Sequence, residues 1–195
     1  SLIRAKKLGY AESNPISDLN GDDVASKLKI LTALTFNSYI NNKSISVEGI
    51  MNIDQTDISN ANQLGYKIKL VGVAESTRNK ITQRVHPALI KKNSYIAKIN
   101  GVSNAVIIES SPVGKTVLQG EGAGPGPTTS SLISDLCSIL RGNVKFPFVL
   151  SDKKRRLAIF ENIDNKKFSA YLRLDVVDKN GILSDVTKIM AKNKV

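Results

Sequence analysis

The sequence predicts an α+β fold, a mostly antiparallel sheet covered by helices. Three observations predict it. "KIKLVGVAES" (67–76) and "KITQRVHPALI" (80–90) each alternate in the two-residue period of a strand. Only a short turn at Arg78-Asn79 separates them, so they read as a hairpin. "NAVIIESS" (104–111) and "GKTVLQGEG" (114–122) repeat the pattern, joined through Pro112 to Gly114. Helical periodicities stand before and after these pairs in an order that forms no complete βαβ dinucleotide-binding unit.

Taken in order, residues 2–8 read as the end of a helix stopped by Gly9. Residues 10–22 are turn-rich: Asn14-Pro15, Ser17-Asp18, Asn20-Gly21. Asp22 is a plausible N-cap for a helix from Asp23 to Asn37, whose Val24, Leu28, Leu31, Leu34 and Thr35 recur at three- and four-residue steps. "SISVEGI" (44–50) reads as a short strand, and "DQTDISNANQLGY" (54–66) as a capped helix ending at Gly65. After the two hairpins, "GEGAGPGPTTSSLISDLCSIL" (120–140) reads as loop, then helix. Its Leu132, Ile133, Leu136, Ile139 and Leu140 supply enough apolar surface to dock firmly. Residues 143–168 are polar and irregular, a linker. Residues 169–195 begin a new unit: an alternating strand, a turn at Lys179-Asn180-Gly181, and a helix.

Composition narrows the function. A chain of 195 residues, 41% hydrophobic and 23% charged, is of ordinary globular type and able to bury a core. Its apolar runs are too short to span a bilayer, so no membrane partner is expected. The net charge of +11 invites a nucleic-acid reading. Against it, 21 of the 28 basic residues are lysines, scattered except in "DKKRR" (152–156). Aromatics are 5%, with no tryptophan and no aromatic–basic interleaving to stack bases, so no nucleic-acid partner is expected. A single cysteine, Cys137, precludes an internal disulfide and fits a reducing compartment; a cytoplasmic protein is the expectation. Cys137 reads as core and the lone His86 as structural; no metal-ligand cluster is visible. Ser1 falls inside a helical pattern and Val195 just after one, so the chain is expected to be a piece of a longer protein.

Two stretches carry chemistry. In "GYAESNPISDLNGDDVASKLKIL" (9–31), Asp23 and Lys27 stand four apart and share a helix face. One reading is a surface ion pair contributing about a few tenths of a kcal/mol. The other adds Glu12 and Asp18 from the preceding turns. Carboxylates to hold an ammonium group, beside a lysine to move a proton, suit acid–base chemistry on an amino-acid substrate. The second stretch is Gly120 to Ser131. Its glycines let backbone approach a ligand, and the start of a helix favours anions; a simple tight turn is the other reading. Pro127 suits a helix's first turn, with Thr128 or Thr129 as cap. No Gly-Lys-Ser/Thr follows, so it is not a Walker loop.

These stretches together resemble homoserine dehydrogenases. "LGYAESNPISDLNGDDVASKLKIL" is similar to that family's signature. "YKIKLVGVAE", "VHPALI", "INGVSNAVIIES" and "GEGAGPGPTTSSLISDL" follow in the family's order, covering about residues 2–141. Asn14 departs from the usual aspartate before Pro15, and "GPGPTTSS" from the commoner Pro-Thr-Ala-Ser. The resemblance implies Lys27 as the proton donor and acceptor in the NADP- or NAD-dependent interconversion of L-homoserine and L-aspartate 4-semialdehyde. It implies Glu12, Asp18 and Asp23 as substrate-holding carboxylates, and Gly9, Gly122, Gly124 and Thr128 as neighbours of the nicotinamide cofactor. It implies a catalytic substrate domain over 1–142, resembling the glyceraldehyde-3-phosphate dehydrogenase-like C-terminal domain, whose sheets pair into a homo-oligomer. The family's Rossmann domain is expected upstream. "YLRLDVVDKNGILSDVTKIMAKN" resembles the first strand and helix of an ACT domain over 169–195, which implies a possible threonine effector; Asn180 stands where that pattern has proline. The alternative is a non-catalytic amino-acid-binding regulatory module.

Overall fold

A computed structural model of the chain describes residues 15–39, 45–78, 80–143, 156–157, 159–161 and 168–193. Within them the fold is mixed α+β. The centre is a long antiparallel hairpin, β3 (Tyr66–Thr77) and β4 (Lys80–Lys91), paired in unbroken register from Tyr66 opposite Lys91 to Thr77 opposite Lys80. Two short strands extend β4 in parallel: β2 (Ser46–Val47) opposite Arg84 and Val85, and β8 (Ile159–Phe160) opposite Lys80 and Ile81. Another two-residue pair, β1 (Ser38–Tyr39) with β7 (Arg156–Leu157), is also parallel. The expected linker therefore contains two short strands. The second hairpin, β5 (Ser103–Ser110) and β6 (Gly114–Glu121), forms a separate two-stranded sheet. Both long pairings follow the sequence expectation.

The turn-rich stretch before the main helix is not all turn. Ile16–Asn20 form α1, which starts after Pro15, whose ring-fixed φ suits a helix entry, and ends at Gly21. Gly21 adopts φ +86°, a conformation that disfavours any side chain, and a Cβ there would crowd Val85 and Val47 at 3.2 and 3.3 Å. It turns the chain directly into α2 (Asp22–Phe36), taking the N-cap position expected for Asp22.

α2 lies on one face of the main hairpin. Gly72 supplies the flat spot: Val24 and Leu28 stand 3.1 and 3.4 Å from where its Cβ would be. Leu28, Ala25 and Val85 form the buried core, with Val24, Ile45, Leu70 and Ala74 packed around it. Burying a side chain of the size of Leu28 or Val85 contributes about 1.5–3 kcal/mol. The helix is rotated from its expected stripe. Ala25, Thr32 and Ala33 are buried, whereas Leu34 is 47% exposed. The reason is that small residues permit the close approach over Gly72, and the Thr32 hydroxyl is satisfied by the Leu28 carbonyl at 2.7 Å.

Odd-numbered β3 residues face the other side of the hairpin. From there Lys67 and Lys69 donate to the carbonyls of Ala97 and Ile99 at the end of α4 (Tyr95–Lys98). Lys92 likewise donates to the Asn62 carbonyl at the end of α3 (Gln55–Gln63), at 2.7 Å. Part of the excess positive charge thus caps helix C-termini, where cations are favoured. Burial and the neighbouring Lys67 hold the Lys69 ammonium below its ordinary value of 10.5.

The remaining helices are α5 (Pro125–Leu140) and α6 (Ile182–Lys192). α5 does not bear out the expectation of a firmly docked helix. No α5 residue is buried, and Leu132, Ile133, Leu136, Ile139 and Leu140 are 51–78% exposed. Cys137, expected as core, is only partly buried. The alternating stretch 169–179 forms no strand, because no described segment pairs with it; the turn at Asn180-Gly181 and α6 appear as expected. Among the described residues, no helix is long and apolar enough to cross a membrane.

Candidate active site

α2 carries the two central candidates. Asp23 lies in the first turn, where a carboxylate suits the positive end of the helix dipole. Lys27 follows four residues later, and its Nζ donates to Asp23 Oδ2 at 2.6 Å. The pair projects away from the Ala25–Leu28 core, with side chains 59% (Lys27) and 40% (Asp23) exposed. An ammonium has three N–H groups, so the ion pair leaves two for another acceptor. The carboxylate meanwhile fixes the position of Nζ. The geometry is that of the surface ion pair, with the Lys27 ammonium still open to a further acceptor.

Asp18 stands exposed on α1, joined to α2 through Gly21. Among the described residues no ion pair links it to Lys27. Glu12 and Gly9 lie outside the described residues.

The glycine-rich candidates gather where β6 runs into α5. The Gly122 N–H donates to Val102 O at 3.2 Å, and a Cβ on Gly122 would collide with the Asn104 amide. Gly124 caps α5 at φ +108°. Thr128 is not the cap. It lies one turn inside, and its Oγ1 and N–H both donate to the Gly124 carbonyl, at 2.9 and 3.3 Å. Helix formation starts earlier than expected because Pro125 takes the first position, where a missing N–H costs nothing. Among the described residues no hydrogen bond or ion pair connects this loop with α2. A shallow depression of about 400 Å³ at the β5–β6 turn, lined by Glu109, Ser110, Ser111, Gly114 and Lys115, contains none of the candidates.

Sequence reading missed a third constellation. Asp54 and Asp57 form a reciprocal capping box at the start of α3: the Asp57 N–H donates to Asp54 Oδ1 at 2.9 Å, and the Asp54 N–H to Asp57 Oδ2 at 3.1 Å. Arg173 Nη1 reaches both carboxylates, at 2.7 Å to Asp54 and 2.9 Å to Asp57. Its hydrogen bond, with the box's own, holds the Asp54 carboxyl well below the usual carboxylate range. The Asp-x-x-Asp spacing signalled the cap; nothing local signalled an arginine more than a hundred residues away.

A helix laid on an antiparallel hairpin and presenting an exposed lysine–carboxylate pair defines the class of this molecule as an α+β domain. Comparison with known proteins makes this specific. The family profile described as Homoserine dehydrogenase matches residues 1–137, and the chain belongs to the homoserine dehydrogenase family. A homoserine dehydrogenase of Helicobacter pylori is 37% identical over 195 residues, all of this chain and 46% of that protein. The crystal structure of a homoserine dehydrogenase from Thiobacillus denitrificans superimposes with a TM-score of 0.73 at 34% identity, covering 98% of this chain and 46% of that one. A hyperthermophilic archaeal homoserine dehydrogenase mutant in complex with NADPH has a TM-score of 0.55 at 25% identity, covering 76% and 41%. The chain thus spans about half the length of the curated relatives it matches.

Proposed function

We propose that this chain is the substrate-binding part of an enzyme that interconverts L-homoserine and L-aspartate 4-semialdehyde with NADP or NAD. The observation that carries the reading is the Lys27–Asp23 pair, exposed on a rigid helix in a chain of this family. In the reducing direction Lys27 gives a proton to the aldehyde oxygen as the carbonyl carbon is reduced. In the oxidising direction it takes the hydroxyl proton. Asp23 positions Nζ, and Glu12, Asp18 and Asp23 hold the polar groups of the substrate. The non-catalytic regulatory module is not favoured, since the relatives carry the enzyme's name.

The nicotinamide cofactor, when bound, supplies or accepts the hydride. The glycine loop fits one end of it. Gly122 packs against the Asn104 amide and Gly124 turns the chain into α5, while Pro125 and Pro127 remove two N–H groups from the helix's first turn. The loop therefore suits contact with a flat ring rather than a phosphate cradle, and the phosphates belong on the upstream domain. Gly9, Gly122, Gly124 and Thr128 are the residues proposed to adjoin the ring.

The same reading extends to the expected organisation: a glyceraldehyde-3-phosphate dehydrogenase-like domain over 1–142, a linker over 143–168, and an ACT-like unit over 169–195 with threonine as a possible effector. A homo-oligomer and a cytoplasmic setting complete it. The exposed apolar residues of α5 and α6 support further covering surfaces.

The test is homoserine-dependent nicotinamide reduction by the full-length protein. Activity is expected there and not in residues 1–195 alone. No homoserine-dependent turnover in the full-length protein would overturn the assignment.

A further inference from the structure

The segment 168–175 has no strand partner among the described residues, yet three contacts hold it. The Arg84 guanidinium lies over the Phe168 ring, 4.7 Å from its centre. Asn60 donates to the Tyr171 hydroxyl at 3.1 Å. Arg173 bridges Asp54 and Asp57, with Asp175 a further 3.9 Å neighbour. Two of these contacts fall on α3.

The Arg173 contact is mutual. The capping box places two carboxylates side by side, and the Asp57 side chain is only 9% exposed. Like charges in that geometry repel, and a buried carboxylate needs a partner. Asp57 Oδ2 takes the Asp54 N–H, and Oδ1 is left for Arg173. The first turn of α3 is therefore complete only when the 168–175 segment is docked. α3 packs against β3, the strand on which α2 also packs.

We propose that Arg173 is a clasp joining the C-terminal unit to the substrate-domain sheet: closed, it fixes the first turn of α3; open, it leaves two facing carboxylates and a loosened helix start. Any ligand or partner that shifts the C-terminal unit thereby reaches α3 and, through β3, the helix bearing Lys27. Arg173 is a positioning residue, and the clasp stands whether or not the enzyme reading holds.

The experiment uses the full-length protein with Arg173→Ala and Arg173→Lys. Amide hydrogen exchange in residues 55–60, and chymotryptic cleavage within 168–174, are expected to rise at least about tenfold in Arg173→Ala, the loss of a charged hydrogen-bond pair. Arg173→Lys keeps a cation that can bridge both carboxylates from one nitrogen, as Nη1 does, but on a shorter side chain, and should fall between. Exchange in β3 and β4 should not change. In the wild type, 1 M salt should accelerate the same cleavage, and in Arg173→Ala it should not. Unchanged exchange in 55–60 would overturn the clasp, as would an equal rise throughout β3 and β4, which would make Arg173 a general stability residue. If Arg173→Ala does not fold, a salt-insensitive wild type would overturn the clasp.

Discussion

In two regions of this molecule a helix precedes or follows an antiparallel hairpin in sequence, and they differ in whether the helix packs. α2 lies on β3–β4 with Leu28, Ala25 and Val85 buried between. α5 follows β5–β6 and buries nothing, its leucines and isoleucines facing outward. Both helices have an apolar stripe in sequence. The packed one has Gly72 beneath it, a place where a helix seats without a Cβ in the way. The result is a division of labour: the region bearing Lys27 carries its own scaffold, whereas the glycine loop sits at the head of a helix whose apolar face is exposed among the described residues.

The largest effect that sharpens this contrast is on catalysis. Lys27→Ala in the full-length protein should lower kcat by about 10²- to 10⁴-fold, the usual yield of a positioned proton carrier, with KM for homoserine little changed. Because the Lys27 side chain is 59% exposed, the thermal midpoint should stay near the wild-type value. Wild-type-like turnover would break the site assignment. Next, in the 195-residue chain, Leu28→Ala should cost about 2–5 kcal/mol by denaturant unfolding, the cost of a core cavity. Leu132→Ala on α5, at a position 66% exposed, should cost under about 0.5 kcal/mol. Equal costs would erase the distinction between the two regions. Gly72→Val is expected to destabilise by about 1–3 kcal/mol through overpacking against Val24 and Leu28, read from the shift in unfolding midpoint.

The smallest effect is a pH slope. Burial, then the nearby Arg84, hold the His86 imidazole below its ordinary value of 6.5, with Glu48 opposing. Its Nδ1 is buried with no hydrogen-bond partner among the described residues. The unfolded chain therefore takes up this proton first as pH falls below 6.5, so stability declines through that window and is flat above it. Thermal melts between pH 7.5 and 5 should show the slope, and His86→Leu should flatten it; an unchanged slope would remove His86 as its source.

Elements with local signals were legible in sequence. The strand alternation of 67–76 and 80–90 and the turn between them gave β3 and β4. Asp54 and the Gly65 stop marked α3 to within a residue or two. The Asp23–Lys27 face followed from helical spacing alone. Elements whose form depends on distant partners were misread. The helical turn Ile16–Asn20 sat among residues that read as turns, and its form rests on Pro15 and on Gly21 fitting against Val85 and Val47. The alternating stretch 169–179 has strand propensity but nothing to pair with among the described residues, and a strand needs a partner.

By itself, then, the sequence determined the hairpins, the capped helices, the family, and the lysine and carboxylate that share a helix face, because each rests on periodicity or on short motifs. Only the tertiary structure decided which helix face is buried, that Gly72 is the seat of α2, that α5 has no cover among the described residues, and that Arg173 closes on Asp54 and Asp57. Those outcomes depend on which surfaces meet across long stretches of chain, and close packing and charge neutralisation act through space, not along sequence.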